Sequence, residues 1–384
     1  EFSMWRVLLG GACAASVRTG TTPLQLLRMG ASTASKASFA ELRSGDDLRS
    51  GIAGFYDASS GVWEEVWGEH MHHGYYADNG RKDHVQAQVD MVEQVLGWAR
   101  VDDATPASML DVGCGIGGSS RHLARKYGCS GVGITLSPVQ VARAQQLSHA
   151  QGLGTQLSFQ VADALDMPFA DNSFDLVWAM ESGEHMPDKR QFVAELARVC
   201  KPGGRVVVVA WCHRDLAPGE EALSPREERL LRAINRAFYL PRWCSVSEYS
   251  RLAAEQGLAQ IRSDDWTDKV KRFWPAVILS AIRPRSLFSL LRSGFKTIRG
   301  ALVMPLMILG QRRGLVKFGL ITARKLPLPP PPSSPPSSFV SPRIPSTTNP
   351  VSAIRAEQVS PAEAKAGASI LEPPPAGFEW GGFF

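Results

Sequence analysis

The cysteines of this chain do no visible structural work. The six, Cys13, Cys114, Cys129, Cys200, Cys212 and Cys244, are scattered and never paired as CxxC. That argues against a disulfide framework and a zinc ribbon, and it suits a reducing compartment. No apolar run reaches the roughly 20 residues that a membrane-spanning helix needs. No internal repeat is visible, and a net charge of +5 does not call for nucleic acid. Acidic residues are missing from two long stretches. None lies from Ser3 to Ala40, where Arg6, Arg18, Arg28 and Lys36 recur among Ser, Thr and Ala. This is the acid-poor composition of an organelle transit peptide, so residues 1–50 are expected to be a targeting segment or disordered. Glu1 and Phe2 read as a cloning scar ahead of a start at Met4. The second gap runs from Asp268 to Glu357. Through 271–319 basic and large apolar residues alternate, with Trp274 near the start. For 281–313 this pattern predicts peripheral contact with an anionic membrane surface. The stretch 315–325 is expected instead to be a core strand.

What is present is a long globular segment. Composition shifts near residue 50, and 51–326 is expected to fold. From 327 to 384, "PLPPPPSSPPSS" and further Pro/Ser-rich sequence cannot bury enough apolar surface to fold. Inside the globular part, strand and helix patterns alternate. Strands are predicted at 108–113, 130–136, 157–163, 174–180 and 205–211. Helices are predicted at 118–128, 137–152 and 190–200. The second helix opens with Ser137 as cap and Pro138 at its first position. Alternation of this kind implies an α/β fold, a mostly parallel sheet covered by helices on both faces. Ligands bind such sheets at the carboxyl ends of the strands.

The run "DVGCGIGG" (111–118) follows the first strand and opens a helix. Gly113, Gly115 and Gly118 satisfy G-x-G-x-x-G, so a dinucleotide must be weighed. Asp111 would repel a pyrophosphate, about sixty globular residues precede the loop, and the second strand ends "GITLS" without the acid that a NAD ribose takes. A carboxylate at 111 suits a cationic ligand, such as one with an amino-acid ammonium group.

With these residues in view, D-x-G-x-G resembles motif I of the class I S-adenosylmethionine-dependent methyltransferases. "MLDVGCGIG", "PFADNSFDLV" and "RVCKPGGRVV" match that superfamily in order. Narrower segments, "WGEHMHHG", "GITLSPVQ", "QVADALDMPF", "MESGEHMPDK", "WCHRDL", "FWPAVI" and "GALVMPLM", resemble the γ-tocopherol methyltransferases of plastids. The likeness covers nearly all of 50–326 but not the Pro-rich tail. It implies a Rossmann-like fold with a seven-stranded, mostly parallel sheet, an N-terminal helical cap and a helical insert. It implies S-adenosyl-L-methionine as cofactor and C-methylation of the chromanol ring, γ- to α-tocopherol and δ- to β-tocopherol. A lipid substrate, a plastid location and contact with the envelope or another membrane surface go with it. By the same resemblance, Gly113, Gly115 and Gly117 line the methionine part of the cofactor with Asp111 nearby. Thr135 stands where many members carry a ribose-binding acid, assisted by Gln140. Asp163 and Ala164 meet the adenine, and Met180 lies beneath the cofactor. Asp163 also reads as a helix cap before "ALDM".

A methyl acceptor that is a ring carbon ortho to a phenol needs a base to take up protons. "ESGEHM" (181–186) follows the fourth strand, and His185 then Glu184 are the candidates, with Glu181 nearer the cofactor. Trp211, His213 and Arg214 emerge from the fifth strand. Trp211 suits a wall of the acceptor pocket, and His213 and Arg214 either orient the phenol or begin the next helix. Residues 224–246 read as the helical insert over the substrate.

The stretch "VWGEHMHHGYY" (66–76) packs three histidines into four residues. It invites a metal, but no carboxylate-rich partner motif stands elsewhere and this methyl transfer needs no metal, so no metal ligand is assigned. The segment reads as a lid. Tyr56, Trp63, Trp67 and Tyr76 are expected to face the sulfonium, with His70 or His73 as reserve bases. Two competing functions remain at this stage. One is methyl transfer to another acceptor, such as an indole-alkaloid nitrogen, a prenyl benzoquinol or a sterol. The other is a silent cofactor- or lipid-binding protein.

Overall fold

A computed structural model describes residues 54, 64, 68–76, 83–238, 240–273 and 304–327. The chain divides into two units, Glu1–Pro329 and Pro330–Phe384, and every described residue belongs to the first. The expected targeting segment, the aromatics Tyr56, Trp63 and Trp67, the stretch 281–303 and nearly all of the Pro/Ser-rich tail lie outside the described residues.

Numbered among those residues, the chain runs α1 (His84–Trp98), β1 (Ser108–Val112), α2 (Gly118–Tyr127), β2 (Ser130–Thr135), α3 (Pro138–Ala150), β3 (Leu157–Val161) and β4 (Phe174–Met180). It continues with α4 (Lys189–Val199), β5 (Cys200–His213), α5 (Pro225–Phe238), α6 (Val246–Glu255), β6 (Leu258–Asp265), the single turn α7 (Thr267–Val270), α8 (Met304–Arg312) and β7 (Val316–Lys325). The sheet has seven strands in the order β3-β2-β1-β4-β5-β7-β6. The pairings from β3 through β5 are parallel, while β7 runs antiparallel to both β5 and β6.

Side chains alternate across the sheet, so each strand feeds two cores. Met109, Trp178, Val207, Val209, Trp211 and Phe318 face α1, α5 and α8. Leu110, Val177, Val206, Val208 and Ala210 face Phe192 and Leu196 of α4 and Tyr249 and Leu252 of α6. Local chemistry sets the helix starts. Ser137 Oγ accepts from the Gln140 N–H at 3.1 Å to cap α3, and Asp188 accepts from the Gln191 N–H at 2.9 Å to cap α4. Gly128, at φ +66, ends α2.

Three expectations shift in detail. β5 begins at Cys200 rather than 205, because Lys201–Gly204 enter the strand as a bulge where the register with β4 slips. Gly204 is tight there: a Cβ would lie 2.8 Å from the Lys201 carbonyl and 2.9 Å from that of Asp175. The expected insert at 224–246 forms α5 alone, and α6, which begins at its last residue, packs on the other face of the sheet. β6 was not foreseen, since most of its residues are polar and solvent-facing, as befits an edge strand.

The basic, apolar stretch ends in α8, where Met304, Met307 and Gly310 are buried. A Cβ at Gly310 would lie 2.4 Å from Val316 Cγ2. Alanine gains about 1 kcal/mol of helix propensity over glycine, whereas overpacking typically costs about 1–3 kcal/mol. Gly310→Ala is therefore expected to lower the urea midpoint, with a net loss of about 1 kcal/mol. A higher midpoint would show that α8 has room to move.

Candidate functional site

At the carboxyl ends of β1, β2 and β4 lies a cavity of about 240 Å³. Its walls include Asp111, Gly113, Gly115, Thr135, Gln140, Asp163, Ala164 and Met180, together with Ser182, His185 and, from the N-terminal segment, Met71 and His72. Eight of the nine residues expected at a cofactor thus share one cavity. Gly117 is the exception. At φ +79 it caps α2, and a Cβ there would lie 2.8 Å from the Phe159 ring. Its task is the turn rather than the wall.

The glycine loop is tightly packed. Gly113, at φ +82, leaves room for Ser182, whose Cβ lies 2.3 Å from where a Cβ of residue 113 would stand. Ser182 Oγ donates to the Val112 carbonyl at 2.6 Å, tying the end of β4 to the end of β1. Asp111 is buried and accepts from Ser120 Oγ at 2.6 Å. Burial pushes its carboxyl up to about 6, against the hydrogen bonds from Ser120 and the charge of Arg121. On β2, Thr135 Oγ1 donates to Gln140 Oε1 at 2.7 Å, so these two polar side chains form one unit on the wall. Asp163 caps a turn, accepting from the Leu165 N–H at 2.9 Å; no helix follows it.

This wall fits an S-adenosylmethionine-type cofactor. Glycines 113 and 115 form a cradle that side chains would fill. Asp111 suits an ammonium group, and the Thr135–Gln140 pair suits ribose hydroxyls.

The N-terminal segment 68–76 is irregular rather than helical, and it lies directly on the glycine loop. A Cβ at Gly118 would lie 2.3 Å from the Glu69 carbonyl, and one at Gly115 would lie 3.3 Å from Met71 Sδ. Arg121, buried, reaches Glu69 at 2.8 Å and the Ile116 carbonyl at 2.6 Å. Gln88 of α1 donates to the carbonyls of His70 at 2.5 Å and His72 at 2.8 Å. Glu181, just past β4, closes the arrangement. It accepts from the His73 main-chain N–H at 2.5 Å, from His73 Nδ1 at 2.6 Å and from Trp211 Nε1 at 3.2 Å. Burial alone would raise the Glu181 carboxyl, but the charge and hydrogen bonds of His73 bring it below the ordinary range.

The expected bases separate. His185 is on the cavity wall; burial and the Lys189 ammonium pull it down to about 4. Glu184 is not on the wall. It is buried, and burial together with the Glu181 charge pushes its carboxyl up to about 8, so it is protonated at neutral pH. His70 is off the wall too, edge-on to His72 and held at about 2 by burial and the neighbouring cations. His73 is committed to Glu181 among the rings of Trp211, Phe273 and Phe318. Tyr76 joins the core rather than the cavity. Arg214 is tied to Glu220 and Glu227, and His213 Nδ1 to the Arg214 carbonyl, so neither faces this cavity. Among the described residues no group of three or more His, Cys, Asp or Glu side chains is arranged to hold a metal.

Besides Met71 and Ser182 on the wall, two residues with a clear part in the site escaped the sequence reading. His72 reaches the wall where its neighbours do not. Lys189, buried, donates to the carbonyls of Gly183 at 2.9 Å, Glu184 at 3.2 Å and Met186 at 2.6 Å. It thereby builds the turn that carries His185. Nothing in the spacing marks a lysine at a helix start for such a role.

Comparison with known proteins points to the same cofactor class. A methyltransferase-domain family model matches residues 110–208. A rice protein named "Probable tocopherol O-methyltransferase, chloroplastic" is 60% identical over 285 residues, 72% of this chain and 78% of that one. The Arabidopsis thaliana "Tocopherol O-methyltransferase, chloroplastic" is 54% identical over 290 residues, 72% of this chain and 82% of its own. Among solved structures, a geranyl diphosphate C-methyltransferase from Streptomyces coelicolor, in complex with S-adenosyl-L-homocysteine, shares the fold. Its TM-score is 0.57 at 22% identity, covering 73% of this chain and 98% of that one.

Asp111 offers a direct check. Its folded value of about 6 exceeds the ordinary 3.8, so the native state holds the proton more tightly than the unfolded chain. The resulting stabilisation is complete below pH 3.8 and lost as pH rises through about 6. Asp111→Asn should therefore raise the melting stability of the cofactor-free protein at pH 7 by on the order of 1–3 kcal/mol. Calorimetry should show weaker cofactor binding in the same variant. A variant less stable at pH 7 would contradict this account.

Proposed function

The chain belongs to the tocopherol methyltransferase family of S-adenosylmethionine-dependent methyltransferases, and we propose that it transfers a methyl group to the chromanol ring carbon of γ-tocopherol, giving α-tocopherol, and likewise converts δ- to β-tocopherol. It is an enzyme, and S-adenosyl-L-methionine is its cofactor. When bound, the cofactor supplies an electrophilic sulfonium methyl. The protein's share is to align the acceptor, exclude water and make the ring carbon nucleophilic.

The observation that carries the reading is His185 on the wall of the cavity that the glycine loop and Asp111 also line. An imidazole at the end of β4, neutral at working pH, suits removal of the ring proton. Asp111, Gly113 and Gly115 would hold the amino-acid end of the cofactor. Thr135 with Gln140 would hold the ribose, Asp163 and Ala164 the adenine, and Met180 the underside. Trp211, expected as a wall of the acceptor pocket, is instead buried in the core, where it donates to Glu181 and helps hold that carboxylate.

The relatives' names attach the methyl to oxygen, so the position is part of the proposal. Full chain is incubated with labelled S-adenosylmethionine and γ-tocopherol, δ-tocopherol, a methyl-phytyl-benzoquinol and an indole alkaloid. The expected product from γ-tocopherol is α-tocopherol with its phenol free. A methyl ether, or transfer to alkaloid nitrogen alone, would refute the ring-carbon reading. His185→Asn should lower turnover by about 100-fold while cofactor affinity stays within twofold.

The relatives' chloroplastic designation and the acid-free stretch from Ser3 to Ala40 support a plastid location. The phytyl tail of a tocopherol resides in a bilayer, and the basic apolar stretch 281–313 suits contact with a membrane surface. Among the described residues no helix is long and apolar enough to cross a membrane. The protein is expected to float with anionic liposomes at low salt and to be released at high salt. Absence of flotation at low salt would remove the membrane contact from the proposal.

A further inference from the structure

We propose that His72 is a second catalytic residue: its Nε2 takes the phenolic proton of the bound acceptor and returns it once the ring proton has left. This deepens the reading above and rests on it.

Three histidines stand at 70, 72 and 73, and of these only His72 lines the cavity. Its Nδ1 lies 3.0 Å from the His73 carbonyl oxygen. A carbonyl can only accept, so Nδ1 carries the hydrogen and Nε2 is left as a bare lone pair. That Nε2 is buried and has no hydrogen-bond partner among the described residues. A buried polar atom left unpaired costs about 1–3 kcal/mol, and such atoms in native structures call for a reason. The imidazole is also held in place from two sides. Gln88 grips the His72 carbonyl, and Glu181 grips the next residue through both its main-chain N–H and its ring. A ring fixed in one tautomer, one position and one open acceptor is preorganised to receive a proton.

The charges around it favour this ring over the others. The ionisable groups facing His72 are Glu181 just past β4, His70 and His73 of its own segment and His122 from α2. Burial makes His72 a weaker base than a free imidazole, while Glu181, the one anion of the four, acts in the opposite direction. A proton placed on Nε2 would therefore stand beside a carboxylate already fixed there. His185 feels the Glu181 charge too, but the Lys189 ammonium outweighs it there and opposes any stay of positive charge. It suits a proton in transit rather than one that must be held. His73 has its Nδ1 committed to Glu181, and His70 lies off the wall.

The step balances as follows. The phenolic O–H bond breaks, an N–H bond forms at Nε2, and the electron pair stays on oxygen, raising electron density at the ortho carbon. After that carbon has gained its methyl group, its C–H bond breaks and the pair restores the aromatic ring. The ring proton leaves through His185 to water, and the phenolate oxygen recovers its proton from Nε2. One proton is released per turnover, and His72 ends as it began.

The test uses the full chain with S-adenosylhomocysteine and a phenolic acceptor that the wild type methylates. Ultraviolet difference spectra then report phenolate without any turnover. A free phenol of this kind ionises near pH 10, so a phenolate band at neutral pH marks the action of the site. The band is expected in the wild type and absent in both His72→Asn and His72→Gln. S-adenosylhomocysteine affinity by calorimetry should stay within twofold, and kcat should fall at least about 100-fold with KM less affected. A band that survives in either variant, or kcat retained, overturns the role of His72 while leaving the methyltransferase reading intact. A wild type that methylates no phenol overturns both.

Discussion

The site depends on one buried negative charge. Glu181 ends β4 with its backbone at φ +52, a conformation that costs a non-glycine residue roughly 1–2 kcal/mol. Its carboxylate sits on the cavity wall, where desolvation disfavours it. Both costs are offset by neighbours that converge on it. Its own N–H reaches the Val209 carbonyl at 2.7 Å, and His73 and Trp211 supply three donors to the carboxylate. They come from two parts of the fold, His73 from the N-terminal segment and Val209 and Trp211 from the neighbouring strand β5. The strained glutamate is thus the point at which roof and floor of the cavity are joined.

Around this anion, burial disfavours charge on the other ionisable groups. Asp111 and Glu184 are raised, and His70, His72 and His185 are lowered. Lys189 is the counterpart on the side away from the roof. It spends its donors on three carbonyls rather than on a carboxylate, and its charge opposes a proton on His185. The two imidazoles on one wall share Glu181 but only His185 has this cation against it. Place in the fold, not residue type, distinguishes them.

Much of this was legible in the sequence because it is local. Ser137-Pro138 announces a helix start, Gly128 its stop, and D-x-G-x-G a turn that a ligand approaches. The cofactor wall was placed by the family resemblance, and the structure gathers eight of its nine residues at one cavity. Gly117 was misplaced because a glycine run does not reveal which members turn the chain and which line a cavity. The lid histidines were misassigned for a similar reason. Helical spacing pairs His70 with His73, but the segment is irregular, and its contacts with Gln88, Gly118 and Glu181 turn His72 to the wall instead. β6 was invisible because an edge strand with polar, exposed side chains lacks the alternation that marks a buried one. Lys189 was silent because three backbone carbonyls leave no trace in a sequence.

The bond between His73 and Glu181 joins residues 108 positions apart. During synthesis the roof segment emerges first and must wait for β1, α2, β2, α3, β3 and β4 before its anchor exists. Bringing such distant ends together costs loop entropy that nearer contacts do not. The cavity should therefore be among the last features to mature, after the sheet has assembled. Until then the apolar and imidazole groups of residues 70–76 stand uncovered. The chain's most vulnerable interval would fall between its emergence and the completion of its fourth strand, a matter of timing rather than of final stability.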